Sequence, residues 1–343
     1  MSIKELNIYR KYFYGLFLSK KIWYNKINLR EINTKAFLHT HKVIAERRRN
    51  MLYEPLKSGK RSVIFDTDIG PDCDDAGALA LLAYYIRKYD VDFLGAVNCT
   101  SNSYANGAIK AIGKHCGLGE FPIGQYGGDG FLADGTSYNK PVSEKYCGKT
   151  VEAMSECEFY SEALSKAKDK SVTVIAVGPL SSVAEAIKND CELFNRKVHS
   201  IVVMGGISPS GTEFNIKCMP EAARLVLNKF KGTIVFCGFE VGEGVMTGFE
   251  EEKENNPVFD SYKFWTGRAE APYLRDSWDL CTVHYAFEGN CEFYDLSDPV
   301  SVEIDCDGKN TFTPCKSSDR YCIVQKRTNE EIAEYINGIL NIC

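Results

Sequence analysis

No stretch of the sequence reaches the ~18 consecutive apolar residues of a membrane-crossing helix, which excludes a helical span. Its 14 cysteines never form a C-x-x-C pair or a Cys/His set with zinc spacing, which removes a structural zinc site. Positive charge is not in excess either. The 41 Lys and Arg face 46 Asp and Glu, a formal net charge of -5, so no broad basic surface is expected for nucleic acid or an anionic membrane. What is left is a soluble globular protein whose partner is a small molecule. The cysteines are scattered singly, several in apolar stretches such as those around Cys237 and Cys281. They read as reduced thiols used as small buried hydrophobes, which suits the cytoplasm.

What is present is a chain of 343 residues, 44% hydrophobic and 25% charged, enough to bury a large core. Residues 1–60, rich in Lys, Asn and Ile, stand apart. An apolar run at 12–18 follows Lys4, Arg10 and Lys11 as in a signal peptide, but it is short, ends at Lys20 and Lys21, and lacks a small-residue cleavage site. The segment reads as a partly helical or loosely ordered extension with no chemistry of its own. From Ser62 onward short β-branched runs alternate with stretches of helical period. Strands are expected around 62–65, 91–97, 172–177, 200–204 and 232–236, with helices around 76–86, 105–115, 181–188 and 220–229. Continuous apolar strands alternating with helices predict an α/β fold, an open, mostly parallel sheet flanked by helices, in one domain over 61–343. Residues 300–312 read as a hairpin turning at Asp307-Gly308, and an amphipathic helix over 330–340 closes the chain.

In open sheets of this kind the site collects at the carboxyl ends of the strands. There fall residues 66–75, Asn98, 177–179 and 204–206. The first strand runs into Asp66-Thr67-Asp68-Ile69-Gly70-Pro71-Asp72-Cys73-Asp74-Asp75, five aspartates in ten residues. Carboxylates crowded at the tip of an apolar strand repel one another and need a cation. Hard oxygen donors suit calcium or magnesium, and a crowded, irregular set suits the larger, more flexible calcium shell. Capping of the following helix would explain Asp66 and Asp74 but not the other three.

The run Asp66-Thr67-Asp68-Ile69-Gly70, continued by Asp74-Asp75-Ala76-Gly77-Ala78-Leu79, resembles the N-terminal signature of the inosine/uridine-preferring nucleoside hydrolases, D-x-D-x-G-x-D-D-A-x-A-L. Four further stretches resemble later motifs of that family in the same order. They are Val97-Asn98, Ala176-Val177-Gly178-Pro179-Leu180-Ser181, Val203-Met204-Gly205-Gly206, and Glu213-Phe214-Asn215-Ile216 followed by Pro220-Glu221-Ala222-Ala223. The resemblance covers nearly everything from Ser62 onward. It implies a Rossmann-like nucleoside hydrolase fold, hydrolysis of the N-glycosidic bond of ribonucleosides to ribose and free base, and assembly as a homo-oligomer. It also implies a calcium site made by Asp68, Asp75, the Val177 carbonyl and Asp279, with Asp68 as general base on a calcium-bound water and Asp66 orienting the cluster. Asp74, Asn98 and Asn215 would hold the ribose, Glu213 would receive the 5′-hydroxyl, and Met204 and Trp278 would complete the substrate site. Such chemistry is coherent: the ion acidifies the water, and the carboxylates stabilise an oxocarbenium-like sugar.

Several departures loosen the resemblance. Pro71 and Asp72 lengthen the first loop, which leaves open which aspartate of 70–75 takes each role. The family's histidine before the last aspartate is Trp278 here, and His39, His41, His115, His199 and His284 all miss that place. His284, five residues beyond Asp279, faces another sector of its helix and reads as a core or surface residue. Trp278 is either a core aromatic or a ring that stacks on the nucleobase, and Arg275 is either solvated or in contact with base or phosphate. Asp279 could also cap the helix running to about Phe287. Met219 replaces a family aspartate, and the short loop 207–212 lacks an asparagine, so recognition of the 5′-hydroxyl is thinner.

Two other readings compete. Asp66-Thr67-Asp68 also resembles the D-x-D start of magnesium-dependent aspartyl-nucleophile phosphatases, but Gly70 stands where that class has Thr or Val, and no convincing lysine or G-D-x-x-x-D set follows. A non-catalytic calcium-dependent nucleoside or sugar binder would have no use for the base Asp68.

Overall fold

A computed structural model describes residues 53–342 apart from 60, 135, 136, 149 and 150. β1 (Ser62–Thr67), β2 (Phe93–Asn98), β3 (Ile123–Gln125) and β4 (Met154–Ser155) step outward in one direction. The chain then returns to place β5 (Val172–Ala176) against the other side of β1 and continues outward through β6 (Val198–Met204). β7 (Ser210–Thr212) leaves the sheet, β8 (Thr233–Cys237) rejoins it beside β6, and β9 (Met246–Phe249) pairs antiparallel with β10 (Tyr273–Asp276) outside it. Near the end of the chain come β11 (Tyr294–Leu296), β12 (Val300–Ile304), β13 (Lys309–Pro314) and β14 (Arg320–Gln325). The main sheet therefore has the order β11-β14-β8-β6-β5-β1-β2-β3-β4, parallel except for β11 at the edge.

Period-two alternation builds the core on both faces. Val63 and Phe65 of β1 point into one buried apolar cluster and Ile64 into the other; Ile175 and Val174 of β5 divide the same way. Helices on both faces complete the sandwich, so the expected α/β class with a mostly parallel sheet is what forms.

The order reverses between β1 and β5, the switch point where ligands bind in open α/β sheets. Register makes this concrete: Asp66 pairs with Ala176, Ala176 with Val203, and Thr67 with Asn98. The residues that follow β1, β5 and β6 thus emerge side by side.

Three features differ from the sequence reading. Packing begins ahead of residue 61, since Tyr53 and Leu56 are buried in the core and Tyr53 Oη donates to Ala286 O at 2.8 Å. Residues 1–52 and 60 of the extension lie outside the described residues. The hairpin of β12 and β13 forms around Asp307-Gly308 as expected, but it belongs to a separate three-stranded sheet. There β7 pairs with β13, so the loop 207–212 supplies a strand that its Ser-Gly-Thr composition does not announce.

Candidate active site

The aspartate run crosses the carboxyl edge of the sheet between β1 and the helix Asp74–Tyr89. Ile69 N donates to Thr67 Oγ1 at 3.1 Å, and Asn139 Nδ2 donates to Ile69 O, which pins the loop from two sides. Gly70 has φ +154°, and a Cβ there would lie 2.8 Å from Asn139 Nδ2, so a larger residue would open this turn. Thr67 Oγ1 donates to Asp75 Oδ1, and Asp74 Oδ2 accepts from Asp279 N at 3.1 Å. The first turns of the helices Asp74–Tyr89 and Trp278–Glu288 therefore face each other with carboxylates between them, and Asp279 is in the first turn of its helix as well as in the cluster. Asp68 packs against Gly178, where a Cβ would sit 2.7 Å from Asp68 Oδ1 and 2.6 Å from Cys99 Sγ. That glycine makes room for the aspartate.

Asp68, Asp72, Asp74, Asp75 and Asp279 line one cavity of about 300 Å³ together with Val177, Met204, Glu213 and Asn215. Phe214, Phe239, Trp265, Arg275 and Trp278 form the rest of its wall with Pro71. Asp72, Asp74 and Asp75 offer oxygens within 4.8 Å of one another, so the aspartate inserted in the lengthened loop joins the cluster. Burial raises the carboxyl pKa of Asp68, Asp74 and Asp279. Neighbouring negative charges raise it further, Asp75 most at Asp68, Asp72 at Asp74, and Asp74 at Asp279. Asp75 is pushed up to about 8, by burial first and by Asp72 second, against the hydrogen bond from Thr67. Such a set does not ionise fully at neutral pH by itself. Its donors are all hard oxygens, which fits a divalent cation.

The other residues expected at the site divide into two groups. Glu213 is buried, lines the cavity, and caps the short helix Phe214–Cys218: its carboxylate accepts from Asn215 N (2.7 Å), Ile216 N (3.1 Å) and Gly206 N (3.2 Å). Asn215 Nδ2 donates to Val177 O at 2.8 Å and to Met204 O at 3.3 Å, which ties the ends of β5 and β6 together and leaves the Val177 carbonyl a second lone pair. Asn98 is not among the residues that line this cavity. Its Nδ2 donates to Asn102 O and Asn106 Oδ1, and its Oδ1 accepts from Thr100 N and Oγ1, so the amide organises the turn after β2 and does not line the cavity. Asp66 is also outside the lining. It is fully buried behind the cluster, accepts from Tyr160 Oη at 2.8 Å, and has its pKa pushed up to about 7 by burial, with the Tyr160 bond opposing.

Trp278 is in the wall, with its ring stacked on Phe239 at 5.2 Å and its Nε1 donating to Phe239 O at 2.8 Å. Arg275 overturns the solvated reading. Its guanidinium lies over the rings of both Trp265 (4.8 Å) and Trp278 (4.7 Å) and pairs with Asp72 at 3.0 Å and Asp276 at 3.2 Å. Trp265 donates from Nε1 to Pro71 O at 3.0 Å. Sequence reasoning did not assign Trp265, Phe239 or Phe214. The scarcity of tryptophan was a usable signal, since two of the three in the chain meet here. His284 is buried in an aromatic cage of Tyr85, Phe293, Tyr294 and Tyr335, away from the cavity.

Residues 63–337 match the family described as inosine-uridine preferring nucleoside hydrolase. The chain belongs to that family. Among similar proteins of the family is a pyrimidine-specific ribonucleoside hydrolase RihA from a Shewanella species, 30% identical over 153 residues, 43% of this chain and 44% of that one. Another is a pyrimidine-specific ribonucleoside hydrolase RihB of Escherichia coli, 30% identical over 183 residues, 49% of this chain and 56% of the relative. The chain thus spans about half the length of these curated relatives. Similar folds include an inosine-uridine preferring nucleoside hydrolase from Bacillus anthracis (TM-score 0.61, 17% identity) and a plant nucleoside hydrolase (TM-score 0.63, 17% identity). Each likeness covers 82% of this chain and 99% of the other.

Proposed function

We propose that this nucleoside hydrolase family member cleaves the N-glycosidic bond of ribonucleosides to ribose and free base, with calcium as its cofactor. The observation that carries the reading is the convergence of Asp68, Asp74, Asp75 and Asp279, from two distant segments, in one cavity at the switch point of the sheet. Asp68, Asp75, Asp279 and the Val177 carbonyl would hold the ion, with Asp72 and Asp74 completing the negative shell. Calcium would supply the charge that lets these carboxylates ionise and would make a water nucleophilic at neutral pH.

The chain's own residues do the rest. Asp68 takes the proton of the attacking water, while Asp74 and Asn215 hold the ribose hydroxyls and Glu213 faces the 5′-hydroxyl. As the bond breaks, its electron pair leaves with the base, and the surrounding carboxylates stabilise the positive charge growing on the sugar ring. Trp278 would border the base from the cavity wall, its ring backed by Phe239 and covered by Arg275. The names of the curated relatives make pyrimidine ribosides the first substrates to try. We place the enzyme in the cytoplasm, as a homo-oligomer; six buried free thiols, Cys73, Cys99, Cys116, Cys237, Cys281 and Cys322, suit a reducing compartment.

The test is release of reducing sugar from a panel of purine and pyrimidine nucleosides, with and without a chelator. Chelator-sensitive release is expected. Binding of nucleosides without release of ribose would sink the hydrolase reading, and release of phosphate from nucleotides without free base would revive the phosphatase.

A further inference from the structure

The breaking bond sends an electron pair onto the nucleobase, yet among the described residues no histidine lines the cavity to receive it. What the wall holds instead is Arg275. Its guanidinium has five N–H donors and does not lose its charge in proteins. Among the described residues two of the five are used, Nη2 on Asp72 and Nη1 on Asp276, while the buried Nε has no partner. The group is also held in place. Asp72, its partner, lies within 4.8 Å of Asp74 and Asp75, so the cation is one link from the carboxylate cluster. The two indoles beneath it are themselves pinned by N–H bonds to Pro71 O and Phe239 O. A solvated surface arginine needs none of these constraints.

Resting on the proposed hydrolysis, we infer that Arg275 is the leaving-group residue, donating a remaining Nη N–H to an acceptor atom of the departing nucleobase. The balance is simple. The C1′–N bond breaks, its pair goes to the base nitrogen and is spread over the ring, and Arg275 stabilises that negative charge without giving up a proton. The water's oxygen joins C1′, its proton goes to Asp68, and solvent later protonates the free base. The two indoles hold the planar guanidinium in the cavity wall.

The experiment compares substrates whose leaving groups differ in need. Nucleosides leave as poorly stabilised anions, whereas p-nitrophenyl riboside leaves as a stable phenolate that needs no help. Arg275→Ala should lower kcat/KM for nucleosides by about 10²–10³-fold, as removal of a charge-stabilising donor does, and for p-nitrophenyl riboside by less than about tenfold. Arg275→Lys keeps the charge without the planar fork and should fall between. With wild type active, an equal loss on both substrates would overturn this role and leave Arg275 as a strut for the Asp72 loop. Should Arg275→Ala fold poorly, the slope of log kcat/KM against leaving-group pKa still decides in Arg275→Lys: a slope steeper than wild type supports the assignment and an unchanged slope overturns it. Failure of wild type to release ribose from any nucleoside is a separate result, and it overturns the hydrolase reading itself.

Discussion

The two ends of the cavity are built differently. The carboxylate end comes from strand tips and helix first turns at the switch point, where sheet register leaves each side chain little choice of position. The aromatic end comes from 239, 265, 275 and 278, whose rings and guanidinium are fixed by single bonds to backbone carbonyls and by one ion-pair set. On the proposed function, the chemistry sits on the rigid part and contact with the leaving base on the part tied down by fewer bonds.

Breaking the carboxylate end should have the largest effect. Asp68→Asn should lower turnover by about 10²–10⁴-fold, the usual worth of a general base, and in chelator should not lower Tm, because one of several mutually repelling buried carboxylates becomes neutral. Ribose release followed beside thermal melting checks both halves, and near-normal turnover removes Asp68 as the base. Next in size is removal of the ion. A ligand at 100 times its Kd stabilises by about 2.7 kcal/mol, so chelation should lower Tm by several degrees and added calcium should restore it. Magnesium that restores Tm equally well at equal concentration would break the calcium assignment.

The helix Trp278–Glu288 carries Asp279 and Trp278 at one end and His284 toward the other, which extends the comparison. Among the described residues the imidazole of His284 has no hydrogen-bond partner on either nitrogen, and burial pushes its pKa down to about 3. The unfolded chain takes up this proton as pH falls through about 6.5 and the folded chain does not, so stability is full above that value and is lost on the way down toward 3. The loss is about 1.4 kcal/mol per pH unit, roughly 2 kcal/mol at pH 5. Denaturant unfolding of His284→Phe between pH 7 and 4.5 should show that part of the slope gone; an unchanged slope would mean that the cage opens to admit the proton. The smallest effect is expected at the aromatic end: Trp278→Phe keeps a ring but loses the Nε1 bond, costing about 1 kcal/mol, roughly fivefold in kcat/KM for nucleosides. A loss in kcat as large as that of Asp68→Asn would erase the distinction between the two ends.

Much of the carboxylate end was readable from the chain because its residues are contiguous or follow apolar strands. Asp68, Asp74 and Asp75 lie within one short segment, and Val177 and Met204 sit where β5 and β6 end. Asn98 shows the limit of that logic, since it too ends or follows a strand but spends its amide on Thr100, Asn102 and Asn106. A side chain's position in sequence says which edge it reaches, not which way it turns.

By itself the sequence determined the alternation of apolar strands and helices, hence a parallel sheet, and the density of aspartates at the tip of its first strand, hence a place that demands a cation. Those are local properties, set by hydrophobic period and by charge crowding over a few residues. Only the tertiary structure decided that Asp72 joins the cluster, that Asp66 and Asn98 stand behind it, and that Arg275 and two tryptophans face it. Those outcomes depend on contacts between segments up to 203 residues apart, such as Asp72 with Arg275, and nothing local encodes them.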